Sequence, residues 1–295
     1  MTETTAKQTD APQPLVLSCI DGSRLAEAVC DYSIWIANAV SAPLKFLHTI
    51  EHTASAAVAD LTGTIGLGAS EDLLRELTQV EQSRSKLLIE QGNRMLKGAK
   101  ERAITQKVAT VEVRQRHGLL SEALVEMEAQ IRVLVVGIRG ELHEQQDSGI
   151  GTQLESIIRS LHKPILVVNT EFKKPRTAML AYDGSEAAEK ALAMVASSPL
   201  FDEVTIHLVY VGEQTAQSEQ LLQSAQTKMA QRQRDVRVVL LSGAIEDVLP
   251  EYQVAEDIDL TIMGAFSHNR LRHFLLGSFT AQMLQRTNRP LLLLR

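Results

Sequence analysis

The chain has little cysteine, no long apolar run and no excess of basic residues. Its 295 residues include two cysteines, Cys19 and Cys30, too few for a disulfide framework or a cysteine-rich metal site. No run approaches the ~18–20 apolar residues of a membrane span, so we expect no membrane insertion. The formal net charge of −6 argues against a nucleic-acid-binding protein, which usually carries a basic face.

Targeting and catalytic motifs are also absent. Residues 1–13 are polar and contain no signal-peptide core, so we expect a disordered lead-in and a cytoplasmic protein. The chain contains neither the phosphate-binding motif G-x-x-x-x-G-K-[ST] nor the nucleophile elbow G-x-S-x-G. The sequence therefore favours a protein without enzymatic activity.

What the chain does contain is an internal duplication. Three pairs of short pieces match: Asp21-Gly22-Ser23 with Asp183-Gly184-Ser185, Gly137 with Gly264, and Gly151-Thr152 with Gly277-Ser278. The first pair is separated by 162 residues (183 − 21) and the last by 126 (277 − 151), so the first half carries about 36 extra residues. Because a repeat this long is a whole domain, we divide the chain into domains at 14–170 and 171–295.

Both halves alternate short apolar runs with amphipathic segments. This order predicts parallel strands with helices on both faces of the sheet. We therefore predict an α/β protein of two tandem, doubly wound domains, flavodoxin- or Rossmann-like, each with a five-stranded parallel sheet. Ser23 and Ser185 are each placed to cap a helix. The highly charged segment near 71–102 is interpreted as a long helix with a solvated face.

The matching pieces are expected to meet in one crevice in each half. Ligands of such sheets bind at the carboxyl ends of the strands, at the point where the strand order reverses. Asp183, Gly264 and Gly277 should therefore face one another. Free N–H groups at the start of the helix after Gly277 favour an anion such as phosphate. A simple helix-capping turn is the alternative interpretation.

The glycine spacing resembles a known family. Gly-x-x-Gly, nine residues and then Gly-Ser/Thr, after a strand ending in Met/Val-Gly, is similar to the nucleotide-binding signature of the universal stress protein family. The resemblance extends over nearly the whole chain, as two family domains in tandem. Each half departs from the signature. Ser267 replaces the second glycine in the second half, and ten residues instead of nine separate Gly140 from Gly151 in the first.

The resemblance implies a stress-response regulator that binds ATP, or ADP or AMP, with or without Mg²⁺. Binding would modulate association with a client protein, and any ATP hydrolysis would be slow and incidental. The implied second-half site comprises Ala181, Asp183, Val209, Met263, Gly264, Ser267, Arg270, Gly277, Ser278 and Phe279. The implied first-half site, expected to be weaker, comprises Asp21, Thr49, Gly137, Gly140, Gly151 and Thr152. Asp183 would lie beside the ribose or adenine, and the Val209 backbone, matched to Thr49, would contact adenine.

Charge distinguishes the two sites. Arg270 precedes Gly277 and would offset the charge of a polyphosphate. The matching first-half loop contains Glu141, Glu144 and Asp147, which would repel it. We therefore expect binding mainly in the C-terminal domain. The alternative is an interaction or adaptor module with degenerate pockets that bind no nucleotide.

The last strand of each half is apolar and is expected to form an edge. Family resemblance implies that these edges pair between domains, either inside one chain or between chains. Two domains in one chain can satisfy one such pairing internally. A homodimer is nevertheless our expectation.

Overall fold

The computed structural model describes residues 13–51, 67–140, 152–265 and 278–295, with the backbone alone at 67–74, 152 and 278. The expectations for most of the lead-in 1–13 lie outside these residues.

Each half contains five strands and four helices among the described residues. The first half contains β1 (Leu15–Cys19), α1 (Ala26–Ala39), β2 (Leu44–Ile50), α2 (Leu67–Thr105), β3 (Val111–His117), α3 (Leu120–Met127), β4 (Ile131–Gly137), α4 (Thr152–Ser160) and β5 (Ile165–Val168). The second half contains β6 (Thr177–Ala181), α5 (Glu186–Ser197), β7 (Thr205–Val211), α6 (Ala216–Ala230), β8 (Val236–Leu241), α7 (Ile245–Ala255), β9 (Leu260–Gly264), α8 (Ser278–Arg286) and β10 (Leu291–Leu294). The predicted alternation of strands and helices is confirmed.

The strand order is the same in both halves. It runs β3-β2-β1-β4-β5 in the first half and β8-β7-β6-β9-β10 in the second. All pairings within each half are parallel. This is the Rossmann order without its sixth strand, and the order reverses between the first and fourth strands. Sheets of this topology bind ligands at the reversal, which here lies between β1 and β4 and between β6 and β9.

The two sheets join edge to edge into one sheet of ten strands. β5 and β10 pair antiparallel, with Leu166 opposite Leu292. Both side chains are almost fully buried, because helices cover each face of the sheet. The expected pairing of the two last strands thus takes place inside one chain. The boundary at 170/171 stays a prediction.

The extra residues of the first half lie between β2 and the C-terminal part of α2. The N–H of Ile20 donates to the Leu47 carbonyl just as that of Tyr182 donates to Val209, a separation of 162 (182 − 20). After α2 and α6, Lys107 and Gln233 both have left-handed backbones, a separation of only 126 (233 − 107). α2 has 39 residues and α6 has 15, so most of the insertion is an N-terminal extension of α2.

The two predicted helix caps have different outcomes. Ser185 is the N-cap of α5, and its hydroxyl accepts a hydrogen bond from the Ala188 N–H. The prediction for Ser23 is wrong, because α1 begins later, with Leu25 at its N-cap and no side-chain cap. Two residues in turn conformation, Arg24 and Leu25, separate Ser23 from the first helical residue.

Replacing Ser185 by alanine is expected to lower the free energy of unfolding by about 1 kcal/mol, because the Ala188 N–H loses its acceptor. Ser185→Gly should lose only a few tenths of that amount, since glycine is tolerated at an N-cap. Urea denaturation of the three proteins measures both values. Equal losses in the two variants would contradict the capping role.

Candidate functional site

A cavity of about 200 Å³ lies at the strand-order reversal of the first half. The cavity is lined by Asp21 after β1, Thr49 in β2, Gly137 at the end of β4 and Gly140 after it. The parallel pairing of β1 with both β2 and β4 brings these four residues together, although they are far apart in sequence. Four of the six predicted first-half site residues therefore share one cavity.

The Asp21 carboxylate is held at the floor of this cavity. Its Oδ1 accepts a hydrogen bond of 3.0 Å from the Ser23 N–H. Its Oδ2 faces Gly140, where an added Cβ would lie only 3.1 Å from that oxygen. The absence of a side chain at Gly140 thus leaves room for the carboxylate and for close approach of a ligand to the backbone.

The second half repeats this local geometry. Asp183 Oδ1 accepts from the Ser185 N–H at 2.9 Å. β6 and β9 are paired in parallel, so Ala181 at the end of β6 lies near Met263 and Gly264 at the end of β9. A Cβ on Gly264 would lie 2.8 Å from the Ala187 Cβ. Glycine is therefore needed here for close packing of β9 against α5, whether or not a ligand binds.

α2 forms one wall of the first-half cavity, which the sequence interpretation missed. Arg84, Leu88, Gln91 and Met95 line the cavity from this helix. Their spacing of four, three and four residues places them on one helical face. The long polar composition of α2 had indicated a solvated face, and a helix can be mostly solvated while one narrow stripe contacts a ligand site.

Gly92 is the point at which α2 packs against the sheet. A Cβ there would overlap the Gln115 amide and lie 2.5 Å from His48 Cδ2. The His48 ring is itself fixed, since its Nδ1–H donates to the Ile20 carbonyl at 3.0 Å. Glycine inside a polar helix was the available sequence signal of close packing, but α2 also contains Gly98, which has no neighbour within 4 Å of an added Cβ, so the signal does not identify this contact.

The family profile of the universal stress proteins matches residues 15–169 and 212–295. A curated universal stress protein from Synechocystis, Slr1230, is 34% identical over 284 residues, covering 95% of this chain and 99% of the relative. The chain belongs to the universal stress protein family.

Solved structures support the same fold for this family member. A universal stress protein from Archaeoglobus fulgidus superposes with a TM-score of 0.70 at 15% identity, covering 95% of this chain and 98% of the other. A second, from Pseudomonas aeruginosa, gives a TM-score of 0.61 at 13% identity over 96% and 93% of the two chains. Identities this low show the fold alone.

None of the helices in the described part of the chain has the length and apolar character needed to span a membrane.

The expected match of Val209 with Thr49 in this universal stress protein is wrong by two positions. The Val209 carbonyl accepts from Tyr182 N–H as the Leu47 carbonyl accepts from Ile20. Leu47 is therefore the counterpart of Val209, and Val211 (49 + 162) is the counterpart of Thr49. The Val209 carbonyl is also already occupied within the sheet. Repeat matching on short pieces could not resolve this shift, because both positions lie in apolar strands.

Several predicted site residues of this universal stress protein lie outside the described residues: Gly151, Ser267, Arg270 and Gly277. Thr152 and Ser278 begin α4 and α8, as the helix-start prediction requires. Phe279 is half-buried and packs against the apolar core of the sheet. The convergence of Asp183 with Gly277 therefore stays a prediction.

The described part of the first-half cavity suits binding rather than covalent chemistry. The Cys19 thiol lines it, but burial and, to a lesser extent, the nearby Asp21 carboxylate raise its pKa well above the ordinary value. The thiol is therefore protonated at neutral pH and a poor nucleophile. Among the described residues, no cluster of His, Cys, Asp and Glu could hold a metal ion.

Proposed function

We propose that this universal stress protein binds an adenine nucleotide, and that binding alters its association with a partner protein. The observation that carries the proposal is the convergence of Asp21, Thr49, Gly137 and Gly140 on one cavity at the strand-order reversal. That is the place where sheets of this topology bind nucleotides. The family signature supplies the choice of ligand.

The chemistry of the cavity matches a nucleoside with phosphate attached. The Asp21 carboxylate is an acceptor for ribose hydroxyls or the adenine amino group. Leu47 and Ile50, which also line the cavity, offer apolar surface to the base. α4 begins directly after the glycine signature, so its free N–H groups and dipole favour a phosphate. Phosphate binding by Gly140 and Gly151 remains part of this proposal.

We propose a second nucleotide site in the second half, supported by the repeated sequence motifs and by the geometry of the described residues. Asp183 reproduces the hydrogen bond of Asp21, and Gly264 ends β9 as Gly137 ends β4. Arg270 would contact the phosphates there, with Gly277 and Ser278 at the start of α8. Stronger binding in this half, because of its basic loop, stays a prediction.

Calorimetric titration of ATP, ADP and AMP, with and without Mg²⁺, into nucleotide-stripped protein tests the proposal. Gly140→Asp is expected to weaken first-half binding at least about 100-fold, because it places a second carboxylate beside Asp21 and opposes the phosphate. Ser267→Asp is the matched change at the equivalent signature position of the second half. Gly140→Ser, which copies the second-half residue, separates the effect of an added side chain from that of an added charge and should weaken binding less than Gly140→Asp.

Two binding events, each lost in its own aspartate variant, would support nucleotide binding in both halves. A single event that only Ser267→Asp abolishes would restrict binding to the C-terminal domain. Absence of heat, together with absence of nucleotide released by acid from the protein as purified, would contradict the proposal. An adaptor function, with the joined sheet presenting two fixed domains to a partner, would then be the better explanation.

A further inference from the structure

The α2 extension brings a second arginine to the first-half cavity, whose lining already contains Arg139 beside Gly140. Arg84 and Leu88 both belong to the part of α2 that the insertion adds, and both line the cavity. They continue the face that Gln91 and Met95 begin. The extension of α2 therefore adds a helical wall and a positive charge to this cavity.

This wall is held in place by the rest of the helix. Three residues of α2 itself, Leu96, Ala99 and Ala103, are buried against the core. Gly92 of the same helix lies in close contact with His48. Arg84 lies eight residues before Gly92, about 12 Å along the helix axis. The anchored segment therefore sets the direction in which Arg84 projects along the rim of the cavity.

Helix α6 of the second half does not extend to the position of Arg84. With the separation of 126 residues that holds after α2, Gly92 corresponds to Ser218 of α6. α6 begins at Ala216, with Thr215 as its N-cap. No residue of α6 thus occupies the position of Arg84. A contact made by Arg84 is therefore one that α6 does not supply.

Arg84 is suited to bind an anion that enters from solvent. Its side chain is 55% exposed, and its ion pair with Glu81 is long, with Nη1 and Oε1 separated by 3.9 Å. An exposed pair of this kind contributes little free energy, so little is lost if a ligand replaces Glu81. A phosphate offers the guanidinium two hydrogen bonds in its preferred planar geometry.

We propose that Arg84 is a phosphate-binding residue of the first-half site. This proposal rests on the proposed nucleotide binding and extends it by naming the group that contacts the phosphate. It implies that the insertion partly offsets the carboxylates of Asp21 and Glu51 in the cavity lining. Through this contact the first-half site favours a phosphorylated nucleoside over the nucleoside itself.

The test is calorimetric titration of AMP and of adenosine into the Ser267→Asp protein. This substitution is expected to abolish second-half binding, so that the measured heat reports the first-half site. Arg84→Gln is expected to weaken AMP binding about tenfold and to reduce its salt dependence between 50 and 200 mM NaCl, roughly as loss of one charge-assisted contact predicts. Adenosine binding should be unchanged. Arg94→Gln is the matched control, because Arg94 is exposed on the same helix and outside the cavity lining.

Equal weakening of AMP and adenosine by Arg84→Gln would overturn the proposal, since it would indicate a structural effect on α2. So would equal AMP affinities in the Arg84→Gln and Arg94→Gln proteins. Absence of AMP binding in the parent protein is a different result, and it would contradict the first-half nucleotide site itself. The titrations therefore distinguish loss of the Arg84 contact from absence of the first-half nucleotide site.

Discussion

Replacing Leu292 by alanine is expected to lower the free energy of unfolding by about 3 kcal/mol. Leu292 is the central apolar residue of β10, only 2% exposed, and it pairs with Leu166 on one side and Ile262 on the other. Both neighbours are as deeply buried, so the cavity left by truncation cannot collapse easily. Losses of about 2–5 kcal/mol are typical of such sites.

The single tryptophan makes this prediction sharper. Trp35 lies in α1 of the first half, whereas Leu292 belongs to the second. In Leu292→Ala, the urea midpoint measured by Trp35 fluorescence should fall by as much as the midpoint measured by circular dichroism. The two should shift together because β10 pairs directly with β5. An unchanged Trp35 transition would show that the halves unfold independently. Val254→Ala, at a site 80% exposed, should change the free energy by less than about 0.5 kcal/mol.

Asp259→Asn is expected to cost about 2 kcal/mol at pH 7. The Asp259 side chain is 5% exposed, and its carboxylate lies 2.6 Å from the Lys173 ammonium. It also accepts hydrogen bonds from the backbone N–H groups of Arg176 and Thr177, where the linker enters β6. Neutralising one partner of a buried charged group leaves the others poorly satisfied. Urea denaturation measures the loss, and Asp257→Asn, in the same cluster but exposed, is the control.

The pH dependence of this loss has a definite sign. Burial by itself would raise the pKa of Asp259, but the Lys173 ion pair and the two backbone N–H groups outweigh it and lower the pKa below the ordinary value. The contribution to stability is therefore complete above the unfolded pKa of ~3.9 and is lost as the pH falls towards the folded pKa. The difference in free energy of unfolding between wild type and Asp259→Asn should narrow as the pH falls below about 4. A gap that widens on acidification would contradict this assignment.

Two features of the site show where sequence interpretation succeeds and where it stops. Asp21 and Gly137 were identified by local signals, a turn after a strand and a glycine at a strand end, which the chain repeats. Val209 was matched with Thr49 and not with Leu47, because a short repeat match does not fix the position along an apolar strand. Only the register of β7 with β6, which depends on hydrogen bonds between distant segments, separates the two matches.

By itself, the sequence determined the duplication, the α/β class, the order of strands and helices, and the family. These depend on periodicity and on glycine spacing, which are local and repeated. The tertiary structure alone decided that β5 and β10 join the halves into one sheet, and that α2 covers the first-half cavity with Arg84 on its inner face. Edge pairing and helix orientation arise from contacts between residues far apart in the chain. Gly92 against His48 is such a contact, and neither residue's own neighbourhood specifies it.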